Sequence, residues 1–270
     1  MAKLYEAKGR PRFNPLIAHV PDLAAARKIA VMDARAIELA RKFWPGPLTI
    51  VAPISDADAV CDLARAGLDT VALRVPAHPV AREVLDLFIR PLVAPSANRS
   101  GRPSPTTFAD AVEETGVDAQ AALDGGPCKI GLESTVVSVT PGPVRLLRLG
   151  AITRAELEAV VGPVEDAGAD IVRTPGRLAT HYAPDAPVRL NAEGPRAGEA
   201  YLGFGPMREG ERIFNLSPSG DLREAARNLF AHLRAADRTF PRAIAVAPIP
   251  DTGLGEAIND RLRRAAGLIG

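Results

Sequence analysis

Apolar positions along the first 162 residues follow two spacings, one typical of helices and one typical of strands. Between Ala34 and Trp44 they lie on one helical face, directly after Asp33, a residue type that caps helix starts. The run from Leu48 to Ala52 is short, apolar and β-branched, which predicts a strand. By the same criteria we predict helices at 2–7, 23–31, 34–44, 57–66, 78–88, 108–115 and, after the capping box Thr153 and Glu156, up to Val161; strands are predicted at 16–20, 48–52, 70–75, 91–94 and 119–123 and in the runs TVVSV and VRLLRL.

Between residues 163 and 187 this periodicity fails, and Gly, Pro and Asp accumulate in segments such as TPGRLATHYAPDAP. We interpret this stretch as a linker, although it is more polar and aromatic than a passive linker would be. Beyond it the pattern predicts strands at 188–190, 200–204, 212–216 and 243–247 and helices at 222–236 and 255–266. We therefore predict an α/β protein with a large domain at 1–162, the linker at 163–187 and a smaller α/β domain at 188–270.

The composition excludes some classes of protein without selecting one. Lys and Arg number 33 against 32 Asp and Glu, which gives a net charge of +1, so a nucleic acid would have to meet a local basic patch. Aromatic residues make up only 4% of the chain. That content disfavours a protein that binds single strands by stacking on their bases.

The cysteines, histidines and apolar runs bear on compartment and metal binding. Cys61 and Cys128 lie outside any paired motif, which favours a reducing compartment and argues against a cysteine-built zinc site. The histidines at 19, 78, 181 and 232 are scattered, so a metal cage is not expected. No apolar run approaches the roughly 20 residues that span a bilayer, and the charged N-terminus lacks the apolar centre of a signal peptide. We expect a soluble cytoplasmic protein without a membrane partner.

The most informative stretch is PLVAPSANRSGRPSPTT at 91–107, where a short apolar run ends at Pro95 and a polar loop follows. Its hydroxyl, amide and guanidinium groups, among them those of Ser96, Asn98 and Ser104, can donate hydrogen bonds to phosphate oxygens. Its prolines lower the entropy that the loop loses on ordering. Taken alone, the stretch is explained equally well as an ordinary surface loop of Ser, Gly and Pro.

Two further groups of polar residues lie next to predicted strands. Lys8, Arg10, Arg12 and Asn14 precede the strand at 16–20 and can place cations at a strand end, where α/β proteins bind ligands. A solvated basic turn is the alternative interpretation of this group. Arg74 interrupts the apolar strand at 70–75, and a buried guanidinium needs an anion nearby. That anion could be a ligand or an internal carboxylate.

In order and spacing, these segments resemble the two-domain form of the threonylcarbamoyl-adenylate (threonylcarbamoyl-AMP) synthase family. The resemblance is carried by KGRPRFNPLIAHV, FWPGPLTIV, LRVPAHP, APSANRSGRPSPT, GLESTVVSV, RLLRLGAI and TPGRLATHYAPDAP, and it runs from residue 3 to the C-terminus. It implies a catalytic domain with a twisted mixed sheet and flanking helices, and a Rossmann-like α/β domain at the C-terminus. It also implies that the linker covers the active site as a lid and keeps water from unstable intermediates.

The resemblance also implies which residues form the site. The family's basic and polar quartet falls on Lys8, Arg10, Ser96 and Asn98. Threonine would face His19, Arg74 and Ser134. The residues implied to face ATP are Arg10, Asn14, Thr70, Ala94 through its backbone, Ser96, Asn98, Ser104, Arg148, His181 and Tyr182. In this interpretation Arg74 pairs with the carboxylate of threonine, while Lys8 and Arg10 offset charge that develops on the phosphates.

The reaction implied by the resemblance joins L-threonine, bicarbonate and ATP into L-threonylcarbamoyladenylate with release of pyrophosphate. The product serves N6-threonylcarbamoyladenosine at position 37 of tRNA. A carbamate would attack the α-phosphorus of ATP, so the enzyme is a nucleotidyltransferase that uses Mg²⁺ with ATP, and this ion takes few protein ligands. Other implied partners are tRNA or double-stranded RNA and the proteins that transfer the threonylcarbamoyl group to tRNA.

The chain departs from the family pattern at its start. Members usually carry a strand and a Pro-Thr-Glu-Thr-Val-Tyr-Gly-Leu-like motif before the position of Leu4, and that motif would supply a hydroxyl group to threonine. Either the start site is misplaced or the chain is truncated; as written, we expect it to expose apolar sheet surface and to bind threonine weakly.

Several alternatives follow for the function of the chain. One is an impaired, regulatory or inactive form. Another is an RNA-binding module without catalysis, with a basic patch from Lys3, Lys8, Arg10, Arg12, Arg99 and Arg102. The related hydrogenase-maturation carbamoyltransferases carry cysteine-rich zinc fingers, and two isolated cysteines argue against that class.

Overall fold

A computed structural model describes residues 1–11, 13–168 and 182–268. The chain divides into two compact units, and neither is continuous in sequence. Unit 1 is Met1–Pro95 with Glu133–Arg177, and unit 2 is Ser96–Leu132 with Leu178–Gly270, in each case as far as these residues are described. The polar loop at 96–107 therefore belongs to the same unit as the C-terminal residues.

Helices and short strands follow one another through the described residues. The helices are α1 (Ala2–Lys8), α2 (Leu23–Ile29), α3 (Ala34–Phe43), α4 (Asp62–Arg65), α5 (Pro79–Phe88), α6 (Phe108–Thr115), α7 (Arg154–Val161), α8 (Leu222–Asp237) and α9 (Leu254–Ala265). The strands are β1 (Ile17–His19), β2 (Leu48–Pro53), β3 (Thr70–Arg74), β4 (Leu92–Val93), β5 (Thr135–Ser138), β6 (Arg145–Arg148), β7 (Glu165–Asp166), β8 (Val188–Arg189), β9 (Ala200–Gly203), β10 (Ile213–Asn215) and β11 (Ile244–Val246). None of the described helices is both long and apolar enough to cross a membrane.

Unit 1 contains a seven-stranded mixed sheet with the order β4-β1-β3-β2-β5-β6-β7. β1 is parallel to β3, β2 is antiparallel to β3 and parallel to β5, and β6 is antiparallel to β5. The C-terminal ends of β1, β3 and β6 therefore lie at the same end of the sheet as the N-terminal ends of β2 and β5. Arg74 is the last residue of β3, so we call this the Arg74 end.

One face of this sheet carries the hydrophobic core of unit 1. Side chains alternate between the two faces of a strand, and the register places Ala18, Ile50 and Leu73, all fully buried, on the same face. They belong to two clusters that also contain residues of α2, α3 and α7. The other face, which we call the polar face, carries the alternate strand positions His19, Thr49, Thr70, Ala72 and Arg74.

Local sequence signals set the starts of several helices. Asp22 and Asp33 cap α2 and α3 as predicted, because their carboxylates accept hydrogen bonds of 2.7 Å and 2.9 Å from backbone N–H groups three residues on. Thr153 and Glu156 form the predicted capping box at α7, in which each side chain accepts from the other residue's backbone. These helices therefore begin where the sequence predicts.

Unit 2 contains a four-stranded parallel sheet with the order β10-β9-β11-β8. Parallel sheets are buried on both faces, and all three residues of β11 and all four of β9 are buried. The 16-residue α8 contributes Leu229, Phe230 and Leu233, each at most 1% exposed. The prediction of a mixed-sheet α/β fold with a second α/β sheet is confirmed.

The structure differs from the sequence predictions in three places. A strand is predicted at residues 119–123. In the structure these residues are exposed, and they form no strand because no described strand pairs with them. The helix predicted at 57–66 is shorter in the structure, where α4 spans only Asp62–Arg65. Glu165 and Asp166 were expected in the linker, yet they add β7 to the sheet, parallel to β6. The domain boundaries at 162 and 187 stay predictions.

Candidate functional site

His19 and Arg74 lie side by side at the Arg74 end of the unit 1 sheet. They are the last residues of the parallel strands β1 and β3, and the register pairs them directly. Neighbouring strands are about 4.8 Å apart, and alternation places both side chains on the polar face. Two residues predicted to face threonine are thus brought together from distant parts of the chain.

The guanidinium group of Arg74 has no carboxylate partner among the described residues. Its Nε donates a 3.0 Å hydrogen bond to the carbonyl oxygen of Gly46, in the turn before β2. Burial and, to a smaller extent, the nearby guanidinium of Arg148 lower the pKa of Arg74 to about 10. Arg74 therefore stays charged at neutral pH, and its positive charge is uncompensated within the described chain.

His19 is neutral at physiological pH. Burial and, to a smaller extent, the charge of Arg74 lower its pKa to about 4, although hydrogen bonds to the carbonyl groups of Leu92 and Ile17 oppose both effects. Nδ1 lies 3.3 Å from the carbonyl oxygen of Leu92. A carbonyl oxygen only accepts hydrogen bonds, so Nδ1 carries the hydrogen of the neutral ring and Nε2 is left as an acceptor.

Ser134 and Arg148 complete this end of the sheet. Ser134 directly precedes β5 and Arg148 ends β6. Nε and Nη2 of Arg148 donate to the carbonyl oxygen of Ser134 at 3.1 Å and 2.8 Å, and Nη2 also donates to Ser134 Oγ at 3.0 Å. Ser134 Oγ shares a 2.7 Å hydrogen bond with Oγ1 of the buried Thr49 on β2. The hydroxyl group of Ser134 is thereby held from two strands.

Gly150 allows the chain after β6 to pass close to Ser134. A Cβ atom at Gly150 would lie 2.6 Å from the carbonyl oxygen of Glu133 and from the carbonyl carbon of Ser134. Carbon atoms in folded proteins do not approach the backbone so closely, so a larger residue would push Ser134 away. The position of Ser134 thus depends on a glycine two residues after Arg148.

The chemistry of the Arg74 end suits a small ligand with both anionic and donor groups. Two guanidinium groups offer planar forks of N–H donors, which match a carboxylate or a phosphate. His19 Nε2 offers an acceptor, and the Ser134 hydroxyl group can donate or accept. An amino acid carries a carboxylate, an ammonium group and, in some cases, a hydroxyl group within a few bonds.

Thr70 lies on the same polar face but at the opposite end of β3 from Arg74. They are four residue steps apart, roughly 13 Å along the strand. Ala72 stands between them with a small side chain, and Ala94 N donates to the carbonyl oxygen of Ile17 at 3.2 Å, near the start of β1. A single ligand that contacted both Thr70 and Arg74 would have to be longer than an amino acid.

Lys8, Arg10 and Asn14 precede β1 and therefore lie toward the end of the sheet opposite Arg74. Lys8 is the last residue of α1 and is buried. Arg10 donates from Nε to the carbonyl oxygen of Asn14 (3.3 Å) and from Nη2 to that of Pro15 (3.0 Å). Asn14 is buried, and its Oδ1 has no hydrogen-bond partner among the described residues. A buried acceptor without a partner is costly, and a donor group on a ligand would remove that cost.

The remaining predicted site residues lie in unit 2. Ser96 is exposed, whereas Asn98 and Ser104 are buried. Asn98 Nδ2 donates to the carbonyl oxygens of Arg99 (2.7 Å) and Arg102 (3.0 Å), which closes the polar loop on itself. The amide of Asn98 thus has a structural role in shaping the loop.

Tyr182 is also in unit 2, and its ring is covered by residues of the C-terminal region. The ring centre lies 5.2 Å from that of Phe230 and 5.3 Å from the guanidinium carbon of Arg261, and the residue is 1% exposed. Aromatic and cation–π contacts of this kind hold a ring in place. His181, which was predicted together with Tyr182 to face ATP, lies outside the described residues.

Family models and known proteins identify the class of protein. The model described as "Telomere recombination", which covers Sua5, YciO and YrdC, matches residues 1–150, and "Threonylcarbamoyl-AMP synthase, C-terminal domain" matches residues 152–267. The threonylcarbamoyl-AMP synthase of Pyrococcus abyssi is 37% identical over 98% of this chain and 84% of its own length. That of Bacillus subtilis is 36% identical over 98% and 83%. The chain belongs to the threonylcarbamoyl-AMP synthase family.

A solved structure agrees with membership of the threonylcarbamoyl-AMP synthase family. The crystal structure of P. abyssi Sua5 complexed with L-threonine has a TM-score of 0.90 to this chain at 38% identity, covering 99% of this chain and 84% of that one. The predicted family is confirmed, and the chain is an enzyme of the nucleotidyltransferase-like kind.

Within this member of the threonylcarbamoyl-AMP synthase family, the structure gathers four predicted residues in unit 1: His19, Arg74, Ser134 and Arg148. Thr70, Ala94, Lys8, Arg10 and Asn14 lie toward the other end of the same sheet, and Ser96, Asn98, Ser104 and Tyr182 lie in unit 2. The ligand roles of all these residues stay predictions. Sequence reasoning missed Thr49 and Gly46, although both stand in the quoted motif FWPGPLTIV, because only the strand register places them beside Ser134 and Arg74.

Proposed function

We propose that this enzyme makes L-threonylcarbamoyladenylate from L-threonine, bicarbonate and ATP, with pyrophosphate as the second product. The observation that carries the proposal is the half-buried Arg74 without a carboxylate partner among the described residues, beside a neutral His19 and close to Ser134 and Arg148. Such a group of side chains is unfavourable without a ligand and becomes favourable when an amino-acid carboxylate binds. The relatives that bear the synthase name support the choice of reaction.

Threonine fits the groups at the Arg74 end. In this proposal its carboxylate pairs with Arg74, in the planar geometry that a guanidinium favours. His19 Nε2 accepts a hydrogen bond from the ammonium or hydroxyl group, for which the ring must be neutral. Ser134 Oγ contacts the side-chain hydroxyl group, and the solved P. abyssi relative contains L-threonine.

ATP is proposed to bind along the polar face of the sheet, away from the threonine carboxylate. Arg148, at the Arg74 end, contacts the phosphates nearest the amino acid, and Asn14 Oδ1 accepts from a donor group of the nucleotide. The other proposed ATP contacts are Lys8, Arg10, Thr70, the backbone of Ala94, Ser96, Asn98, Ser104, His181 and Tyr182. Cations among them offset the charge that develops on the phosphates.

Magnesium is proposed to enter as part of the ATP substrate. No three His, Cys, Asp or Glu side chains form a metal-binding group in the part of the chain that is described, and the Arg74 end consists of cations and hydroxyl groups. Such residues suit phosphate oxygens rather than a bare divalent cation, and Mg²⁺ commonly keeps its waters and binds through phosphates. When bound, the ion would neutralise phosphate charge.

The chemical step needs no nucleophilic side chain. The neutral amine nitrogen of threonine attacks the carbon of bicarbonate, a carbon–oxygen bond breaks and water leaves, which gives a carbamate; a carbamate oxygen then attacks the α-phosphorus of ATP. The new phosphorus–oxygen bond forms as the bond to the bridging oxygen of the β-phosphate breaks, and the electron pair leaves with pyrophosphate. The enzyme contributes by holding the carbamate and the α-phosphorus in line and by stabilising charge. A closing lid would exclude water from both labile species.

The product is proposed to serve N6-threonylcarbamoyladenosine at position 37 of tRNA, through proteins that transfer the threonylcarbamoyl group. Such proteins and tRNA would be the partners in solution. The two cysteines among the described residues are exposed and unpaired, which favours action in the reducing cytoplasm.

The test is a pyrophosphate-release assay with ATP, threonine and bicarbonate, combined with mass detection of the adenylate. We expect release that requires both threonine and bicarbonate. Release from ATP alone would contradict the proposal and indicate a general nucleotidase. Absence of release together with salt-dependent binding of duplex RNA would contradict it in favour of an RNA-binding module.

A further inference from the structure

Two helices of unit 2 are joined by ion pairs in which Asp110, Glu114 and Arg234 are buried. α6 supplies Asp110, Glu113 and Glu114, α8 supplies Arg234, and Arg238 directly follows α8; we call these five residues the α6–α8 ion cluster. Nη1 of Arg234 donates to Glu114 Oε1 at 2.7 Å, and its Nε lies 3.5 Å from Asp110 Oδ1. Nη2 of Arg238 donates to Asp110 Oδ1 at 2.6 Å and also contacts Glu113. The side chains of Arg234 and Glu114 are each 6% exposed.

The same two buried residues hold the polar loop at 96–107. Glu114 Oε2 accepts a hydrogen bond from Arg99 N at 3.0 Å, and its backbone oxygen accepts from Arg99 Nε at 3.2 Å. Nη1 of Arg234 also donates to the carbonyl oxygen of Pro103 at 3.1 Å. Two of these bonds, those of Arg99 N and of the Pro103 carbonyl oxygen, involve the loop backbone and therefore restrain its path directly.

A second set of contacts reaches the loop from the residues that follow Tyr182 in the chain. Ala183 N donates to the carbonyl oxygen of Gly101 at 2.8 Å, and Asp185 contacts the guanidinium group of Arg102. The backbone N–H of Asp185 donates to Asp237 Oδ2, at the end of α8, at 3.0 Å. The backbone of the loop between residues 99 and 103 is thus held at three positions by C-terminal residues and α6.

Buried ion pairs fix geometry more than they add stability. Removing two charges from water costs about as much free energy as their attraction returns, so replacement by apolar residues is often neutral for folding. Directional hydrogen bonds of charged groups nevertheless select one arrangement. Burial raises the pKa of Glu114, but hydrogen bonds from Arg234 and from Arg99 N hold it below its ordinary value. Glu114 is therefore ionised at neutral pH and keeps both bonds.

We propose that Arg234 is a positioning residue for ATP binding. Through Glu114 and the carbonyl group of Pro103, it holds the loop in the geometry that its three proposed ATP contacts need, without itself contacting the nucleotide. The C-terminal region thereby has a specific part in forming the nucleotide site. This inference rests on the proposed function for the identity of the ligand, whereas the restraint on the loop can be measured separately.

The test uses three variants of the full chain. Arg234→Met keeps the apolar stem and removes every donor, and Arg234→Lys keeps the charge on one nitrogen but loses the nitrogens that face Asp110 and Glu113. Arg227→Met is the matched control, because Arg227 lies on the same helix with a side chain that is 53% exposed and 4.0 Å from Glu224.

Two measurements are compared across these variants. Calorimetry with the non-hydrolysable analogue α,β-methylene-ATP, together with KM values, gives ligand affinity. We expect at least a tenfold weaker affinity for the analogue in Arg234→Met, a smaller loss in Arg234→Lys, and a KM for threonine within twofold of wild type. Amide hydrogen exchange in peptides of 96–107 should become at least tenfold faster in Arg234→Met, while Arg227→Met matches wild type in both measurements.

Any other result contradicts either the positioning role of Arg234 or the proposed function. Unchanged loop exchange and unchanged analogue affinity in the Arg234 variants would overturn the positioning role and leave the proposed function standing. Equal losses for ATP and threonine would replace that role with a general structural one. A wild-type chain that bound no analogue would overturn the proposed function, and the ATP part of this inference with it. If Arg234→Met did not fold, Arg234→Lys would carry the same test.

Discussion

At the scale of single residues, Arg74 and His19 show how one register pair sets two opposite electrostatic states. Both are half-buried at the end of the polar face, and partial loss of water disfavours the charged form of each. The guanidinium is basic enough to stay charged at a pKa of about 10, whereas the imidazole, at about 4, loses its proton. One strand end thus presents a fixed cation beside a neutral acceptor.

Arg74→Gln should separate ligand affinity from stability. Loss of a charge-assisted hydrogen bond to a carboxylate costs about 1.5–3 kcal/mol, so we expect threonine to bind about 10- to 150-fold more weakly. The free energy of unfolding should stay equal or rise, because a buried charge without a carboxylate partner is removed. Calorimetry and urea unfolding measure the two quantities. Arg41→Gln, at an exposed position of α3, should change neither, and unaltered threonine affinity in Arg74→Gln would contradict the assigned role.

His19→Gln should reduce the acid sensitivity of the fold. In the native chain the pKa of His19 is lowered to about 4, so between pH 6.5 and 4 the unfolded state binds a proton that the folded state does not. Stability contributed by the neutral ring is therefore present above pH 6.5 and is lost as the pH falls, by about 3 kcal/mol at pH 4. Urea unfolding from pH 7 to 4 should show a shallower decline in the variant. If the stability of the native chain and of the variant fell in parallel over this pH range, the prediction of a lowered pKa for His19 would be wrong.

At the scale of elements, sequence patterns that span a few residues predict where helices begin. Pairing between strands joins distant residues, and such patterns do not predict it. Asp22, Asp33 and the Thr153–Glu156 box each involve a side chain and a backbone group three residues apart, so the sequence predicts them well. The strand predicted at 119–123 failed because a strand needs a neighbour, and local propensity does not report whether one exists.

The candidate site shows the same limit. Sequence motifs supplied the residue types His19, Arg74 and Ser134, but only the register between β1 and β3 places the first two side by side. The bond between Thr49 and Ser134 joins residues 85 positions apart, and no spacing rule predicts it. Resemblance to a family therefore found residues that periodicity alone would have left as strand interior.

Gly150→Ala tests whether the close approach of Gly150, after β6, to the backbone before β5 holds Ser134 in place. A Cβ at this position would lie 2.6 Å from two backbone atoms of residues 133 and 134, so the backbone around Ser134 must shift. We expect a loss of about 1–3 kcal/mol in unfolding free energy and weaker threonine binding. Gly168→Ala is the control, since its Cβ would meet nothing within 4 Å. Equal behaviour of the two variants in urea unfolding and calorimetry would contradict this prediction.

At the scale of the whole molecule, the compact units do not follow the order of the chain. The family models meet near residue 151, whereas unit 2 joins residues 96–132 to the C-terminal residues. The α6–α8 ion cluster lies inside unit 2 and could not be predicted from the sequence. Its partners are more than a hundred positions apart, and each of its charges resembles an ordinary charge on a helix surface.

Residues 1–162 expressed alone should bind ATP poorly. That fragment keeps α6 but lacks α8, so Asp110 and Glu114 lose the guanidinium groups that neutralise them in unit 2. We expect at least tenfold weaker binding of α,β-methylene-ATP than in the full chain, and faster amide exchange in 96–107, because the loop loses its restraints. Residues 163–270 added in trans should restore part of the affinity. A fragment as tight as the full chain would place the nucleotide site entirely in residues 1–162.

The distance in sequence between Glu114 and Arg234 also has a consequence during translation. The two residues are 120 positions apart, and ribosomes add about 5–20 residues per second, so Glu114 is added to the chain roughly 6–24 s before its partner. On the proposal for Arg234, a nascent chain carries its loop unrestrained through this interval. Firm capture of ATP then begins only when synthesis is nearly complete, and unfinished polypeptides do not sequester the nucleotide.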